Sequence, residues 1–198
     1  IENKKKKKIR IGYYSTDFQN HATAFLMAHF FELHDKEKFE IYAFSFGANI
    51  KDSMNERITK AFDNFIEVNN KNAKEIAKIS RNFDIDIAID LKGHTLGNKI
   101  EIFSYRAAPI QINYLGYPGS TGANYIDYII ADKILIPEKS TTYYSEKIIY
   151  LPNSYQVNDK TKKIAKILLN RKEYNLPDDK FIFCCFNNSY KRSEDHTS

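Results

Sequence analysis

The chain has 198 residues, 42% of them hydrophobic and 28% charged, a composition that excludes a disordered segment and suits one domain or two small ones. Its formal charge of +5 is carried entirely by the run Lys4 to Lys8, so the remainder offers no net basic field for nucleic acid. No apolar run reaches the roughly 18–20 residues of a membrane span, and no apolar segment of a signal peptide follows the basic start.

The lysine run reads as a solvated linker or tail. In chain order, a β-type run at 9–15 is followed by a helical spacing over 23–33, with Phe25, Leu26, Met27, Phe30 and Leu33 on a broad apolar stripe. A strand over 39–46, helices over 51–62 and 73–80 and a strand over 85–91 come next. Then follow a helix over 96–105, strands over 109–115, 128–131 and 147–151, a helix over 162–172 and a last strand over 181–186. Several of these strands are apolar on both faces, as parallel strands covered by helices are. The alternation predicts an α/β fold, a Rossmann-like doubly wound, mainly parallel sheet with right-handed crossovers. The polar stretch 152–160 reads as a connection, and the strand at 181–186, with little of its own to pack on, as the opening of a second unit. Cys184 and Cys185 are adjacent in that strand-like run, so they point to opposite faces and do not bridge; buried, inert thiols in a reducing cytoplasm are expected.

In such a sheet ligands bind beyond the carboxyl ends of the strands, so the strand exits carry the candidate chemistry. The first exit holds Asp17, Asn20, His21 and Thr23, where a histidine suited to proton transfer near neutrality stands beside a carboxylate. Helix capping by Asp17 or Asn20 is the structural alternative. The exit after 85–91 reads Lys92-Gly93-His94-Thr95, a glycine permitting close backbone approach beside a second histidine. The next exit, Leu115-Gly116-Tyr117-Pro118-Gly119-Ser120-Thr121-Gly122, is glycine-dense and able to present N–H groups to a phosphate or sugar oxygen; it matches neither a Walker loop nor G-x-G-x-x-G. Without G-x-G-x-x-G after the first strand, a dinucleotide-dependent oxidoreductase is disfavoured. Past the last strand stand Asn188 and Lys191, the lysine able to neutralise a diphosphate as a point charge. Asp84-Ile85-Asp86 is a D-x-D, but it opens a strand and so falls at the wrong edge. His29 and His34 read as structural or solvated, and no His/Cys/Asp spacing makes a metal site.

RIGYYSTDFQNH (10–21), DLKGHT (90–95), RAAPIQINYLGYPGSTG (106–122), DYIIAD (127–132), YSEKIIYLP (144–152) and FNNSYK (186–191) occur in this order. Together they resemble the catalytic region of the O-GlcNAc transferase family, the SPINDLY/OGT-like glycosyltransferases. The resemblance implies the N-terminal lobe of a GT-B fold, with two Rossmann-like lobes facing across a cleft. It implies an inverting transfer from a UDP-sugar, typically UDP-GlcNAc, to protein Ser or Thr hydroxyls, with no metal and no other cofactor. By this resemblance Asp17, His21 and Lys191 are catalytic: the first two handle the proton of the attacking hydroxyl, and the lysine stabilises charge on the departing UDP. Asn20, Thr23, His94, Leu115, Gly116, Tyr117, Pro118, Gly119 and Asn188 are implied to bind substrate.

Two positions depart from the family pattern: Ala22 stands where many members have Pro, and Gln19 where many have Gly. The family continues beyond Lys191 into the nucleotide-binding lobe and is usually preceded by helical TPR repeats. The expected organisation is therefore a basic linker at 1–8, the N-terminal lobe at 9–160 and the start of the C-terminal lobe at 161–198. The partners expected are a UDP-sugar, a protein acceptor, the second lobe and upstream repeats, with no nucleic acid and no membrane. Alone, this chain is expected to be inactive. A non-catalytic α/β binding or scaffolding module of a larger repeat-containing protein is the alternative.

Overall fold

The computed structural model describes residues 8–164, 166–167 and 170–184. The chain divides into two compact units, Ile1–Lys162 and Lys163–Ser198. Alternation along the first strand, β1 (Ile9–Ser15), sets the plan of the first unit. Ile11 and Tyr13 go to one face of the sheet, Tyr14 to the other, and both sets are buried.

After β1 come α1 (Ala22–Glu32), β2 (Phe39–Ser45), α2 (Ser53–Ala61), β3 (Asn64–Glu67), α3 (Ala73–Asn82) and β4 (Ile87–Asp90). Then follow α4 (Glu101–Ser104), β5 (Ile110–Asn113), β6 (Tyr128–Ala131) and β7 (Lys147–Tyr150). All seven strands pair in parallel, in the order β3-β2-β1-β4-β5-β6-β7. This is the doubly wound α/β sheet that the alternation predicts. On one face α1 and α2 cover Tyr13, Ile41, Ile89 and Ile112, through Met27, Phe31 and Ile58. On the other, α3 and α4 cover Tyr14, Phe44 and Ala88 through Ile76, Ile102 and Phe103. Tyr14 stacks on Phe44 at 4.6 Å and donates to Ser80 Oγ at 2.5 Å, which satisfies its hydroxyl inside the core.

The helix starts are chemically marked. Asp52 caps α2 by accepting the Asn55 N–H at 2.8 Å, and Asn72 with Glu75 closes a reciprocal capping box on α3. After β7 the polar connection returns over the α1/α2 face. Tyr155 and Val157 pack there, Tyr114 donates to the Tyr155 carbonyl at 2.7 Å, and Arg57 reaches Asp159 at 2.6 Å. The bond from Arg57, stronger than the opposing burial, holds the Asp159 carboxyl well below the usual range.

Several expectations are corrected. The edge strand β3 is an addition; its four residues, NFIE, are too few to show a period. The helix expected over 96–105 is reduced to α4, because Gly97 turns with φ +76° and none of residues 95–100 is helical. No α-helix forms among the described residues of 162–172. Ile164 and Ile167 are 92% and 73% exposed, so neither side chain has the burial that would stabilise a helix. Residues 181–184 form no strand, with no partner strand among the described residues to complete a ladder; Phe181 and Phe183 are exposed, and so is Cys184, against the burial expected of it. Cys185 and Phe186 lie outside the described residues, as do Lys4 to Lys7.

Candidate functional site

The register aligns the strand exits. Tyr14 pairs with Asp90, and Asp90 with Asn113, so β1, β4 and β5 end in one row and release their loops at the same edge. The chain turns back from β1 toward β2 on one side and crosses to β4 on the other, so the β1/β4 boundary is the topological switch point, where an open α/β sheet leaves its ligand crevice.

At the β1 exit Asp17 is buried. Its Oδ1 accepts the Thr16 hydroxyl at 2.8 Å, and its Oδ2 accepts Lys92 Nζ, from the β4 exit, at 2.7 Å. Both side chains of this pair are at most 10% exposed. His21 Nδ1 lies 3.5 Å from the same Asp17 Oδ2 and accepts the Thr23 N–H at 3.2 Å, which makes His21 the N-cap of α1. The cap of α1 is thus the histidine itself, and not Asp17 or Asn20 as in the structural alternative. Asn20 is exposed, its N–H donating to Asp52 Oδ2 at 2.7 Å.

Asp90 organises the β4 exit. Its carboxylate accepts the N–H groups of Lys92 and Gly93, both at 2.9 Å, and burial pushes its pKa up to about 6 against those two bonds and the nearby Lys92. Gly93 has φ +52°, and a Cβ there would stand 2.5 Å from Tyr117 Cβ. His94 donates from Nε2 to the Thr121 carbonyl at 2.8 Å and meets the Tyr117 ring edge-on at 5.3 Å, which joins the β4 and β5 exits. Because a carbonyl only accepts, His94 Nε2 carries the proton and a neutral ring keeps its Nδ1 lone pair.

The β5 exit turns at Leu115, with φ +66°, and passes so close to β4 that a Cβ on Gly116 would fall 1.9 Å from the Leu91 carbonyl oxygen. Glu146, just before β7, fastens the far side of this loop. It accepts the Thr121 N–H at 2.7 Å, the Thr121 hydroxyl, and the Ser120 hydroxyl at 2.8 Å. Burial opposes its charge, but these bonds prevail and hold its pKa below the usual range. Tyr144 donates to the Pro118 carbonyl at 3.2 Å.

The fold thus brings Asp17, His21, Thr23, His94, Leu115, Gly116, Tyr117, Pro118 and Gly119 to one edge, with Asn20 beside them. Asn188 and Lys191 lie outside the described residues. Lys92, Asp90 and Glu146 are additions to the sequence reading. An apolar run ending in Asp two and three residues before Lys92 and Gly93 is the signal of a turn closed by that carboxylate, whereas nothing ties Glu146 to Thr121 along the chain. Asp84 and Asp86 lie at the opposite edge, where Asp86 Oδ2 accepts the Arg10 N–H at 2.9 Å. A cleft of about 560 Å³ opens there too, lined by Arg81, Asp84, Asp86, Tyr105 and Arg106; it shares no residue with the strand-exit group. Among the described residues no group of three His, Cys, Asp or Glu is placed to hold a metal, and no helix is long and apolar enough to cross a membrane. His34 is structural, its ring bonded to the Tyr13 hydroxyl at 2.8 Å.

Comparison with known proteins gives the chain's family. A probable UDP-N-acetylglucosamine–peptide N-acetylglucosaminyltransferase, SEC, of Arabidopsis thaliana is 42% identical over 190 residues, 93% of this chain and 19% of the relative. The UDP-N-acetylglucosamine–peptide N-acetylglucosaminyltransferase of Caenorhabditis elegans is 32% identical over 172 residues, 84% of this chain and 15% of the relative. The chain therefore spans less than a fifth of either relative. The solved structure of a lysine-to-methionine mutant of the Thermobaculum terrenum O-GlcNAc transferase superposes with a TM-score of 0.73 at 28% identity, over 76% of this chain and 29% of that one. The model of glycosyl transferase family 41 matches residues 1–170, and the chain belongs to that family.

Proposed function

We propose that residues 9–160 are the N-terminal lobe of a GT-B catalytic region and that 161–198 open the nucleotide-binding lobe. The whole protein, with that lobe and upstream repeats, is a cytoplasmic enzyme that transfers GlcNAc from UDP-GlcNAc to Ser or Thr hydroxyls of proteins. The observation that supports this most is the convergence of Asp17, His21, His94 and the 116–122 loop on one edge at the switch point. There the acceptor hydroxyl attacks the anomeric carbon while the bond from that carbon to the UDP oxygen breaks, with inversion. The hydroxyl proton passes to Asp17 or His21, directly or through water. His94 and the Leu115–Gly116–Tyr117–Pro118–Gly119 turn line the sugar and its N-acetyl group, with Asn20 and Thr23 beside the acceptor. Lys191 offsets charge developing on UDP, with Asn188 near its phosphates, so that no metal is needed for that task.

The test is transfer by the complete protein. His21→Ala and Lys191→Ala are expected to lower turnover by about 100-fold or more. Near-parental turnover in either contradicts its role, and a complete protein that binds no UDP-sugar is the non-catalytic module instead.

A further inference from the structure

We propose that Lys92 is a positioning residue that sets, through Asp17, which nitrogen of His21 carries the proton. The inference rests on the reading that His21 takes part in transfer. His21 Nδ1 has two competing neighbours. It can accept the Thr23 N–H, as it does at 3.2 Å, or it can carry a hydrogen and donate it to Asp17 Oδ2, 3.5 Å away. A single in-plane lone pair serves one state only, and the choice fixes the other nitrogen. With a bare Nδ1, a neutral ring presents Nε2–H as a donor. With Nδ1–H, it presents Nε2 as a lone pair able to take a proton.

Asp17 alone would favour the second state, since a buried carboxylate lacking a counter-charge draws the nearest N–H. Lys92 removes that pull. Its ammonium sits 2.7 Å from the same oxygen, buried with it. Asp52, at the start of α2, is engaged by the Asn20 and Asn55 N–H groups instead. His21 therefore keeps Nδ1 for the cap and meets its ligand as a hydrogen-bond donor. Proton uptake at His21 requires the cap to open first.

Nitrogen-15 NMR of the imidazole rings tests this on the chain without donor or acceptor, above the usual histidine range so that the rings are neutral. The parent is expected to show His21 predominantly as the Nε2–H tautomer. Lys92→Gln, which keeps a donor and loses the charge, is expected to shift His21 mainly to Nδ1–H, while His94 keeps its pattern; Lys92→Arg is expected to restore the parental ratio. A parental His21 predominantly in the Nδ1–H form overturns the proposal whether or not any variant folds. So does a ratio that Lys92→Gln leaves unchanged. Because the ratio is read with no sugar nucleotide present, failure of the transferase reading would leave it intact, and the two failures are distinguishable.

Discussion

Lys92 Nζ lies 2.7 Å from Asp17 Oδ2, and neither side chain is more than a tenth exposed. Seventy-five positions separate the two residues in the chain, and this bond ties the exits of the two strands that flank the switch point. A buried pair of this kind adds little net stability over an apolar substitute, yet losing one partner strands the other's charge. Lys92→Met is therefore expected to cost about 3–5 kcal/mol, with much of that loss recovered when Asp17→Leu is added. Urea unfolding of the four proteins of the cycle measures it, and additive losses would show that the pair is not coupled.

Glu146 fastens the 116–122 loop through three bonds from Ser120 and Thr121. Glu146→Gln is expected to cost about 1–3 kcal/mol, because a neutral amide cannot accept all three. The loss should be local: hydrogen exchange at Thr121 and Gly122 rises while β1 and β4 amides keep their protection. Since the native carboxyl is held below its usual range, its contribution is present at neutral pH. It is lost as pH falls from the unfolded-state value, about 4.3, through the native one.

Asp90 has the opposite sign. Burial raises its pKa to about 6, so the native state binds its proton more tightly than the unfolded chain does. Its contribution is full below about pH 4, falls as pH rises and is lost above about pH 6, a change of at most about 3 kcal/mol. Carbon-13 NMR of the carboxyl should titrate near that value, and Asp90→Asn should flatten this part of the stability profile. A carboxyl titrating in the ordinary aspartate range would refute the assignment.

The glycines of the site should not be equivalent. A Cβ at Gly116 meets the Leu91 carbonyl oxygen at 1.9 Å, whereas Gly122, with φ +65°, has nothing within 4 Å of its added Cβ. Gly116→Ala must displace backbone and is expected to lower the melting temperature several-fold more than Gly122→Ala, whose cost is the left-handed conformation alone, about 1 kcal/mol. Equal losses would contradict the close approach of the β4 and β5 exits.

The sheet was legible because its strands are apolar on both faces and alternate with helical stripes, a signal that β3 with four residues is too short to carry. The edge at which Asp17, His21 and His94 meet was legible from chain direction alone, once the strands were read as parallel. What local pattern could not supply was partnership. Lys92 looks like a solvated lysine until β1 and β4 are neighbours, and Glu146 like a surface charge until the 116–122 loop folds against it. Over the described residues of 162–172 the spacing misled for the converse reason: Ile164 and Ile167 are exposed, and periodic apolar residues make a helix only where they are buried.

The central claim is that the strand exits at the switch point form the sugar-nucleotide face, and chemical-shift mapping of UDP-GlcNAc on this chain tests it most directly. The account predicts weak binding, with a Kd on the order of millimolar for one wall of a cleft, no turnover, and perturbations concentrated at residues 17–23, 92–95 and 115–119. Perturbations confined to the amino-edge cleft of Arg81 and Arg106, or micromolar binding with turnover by this chain alone, would contradict it.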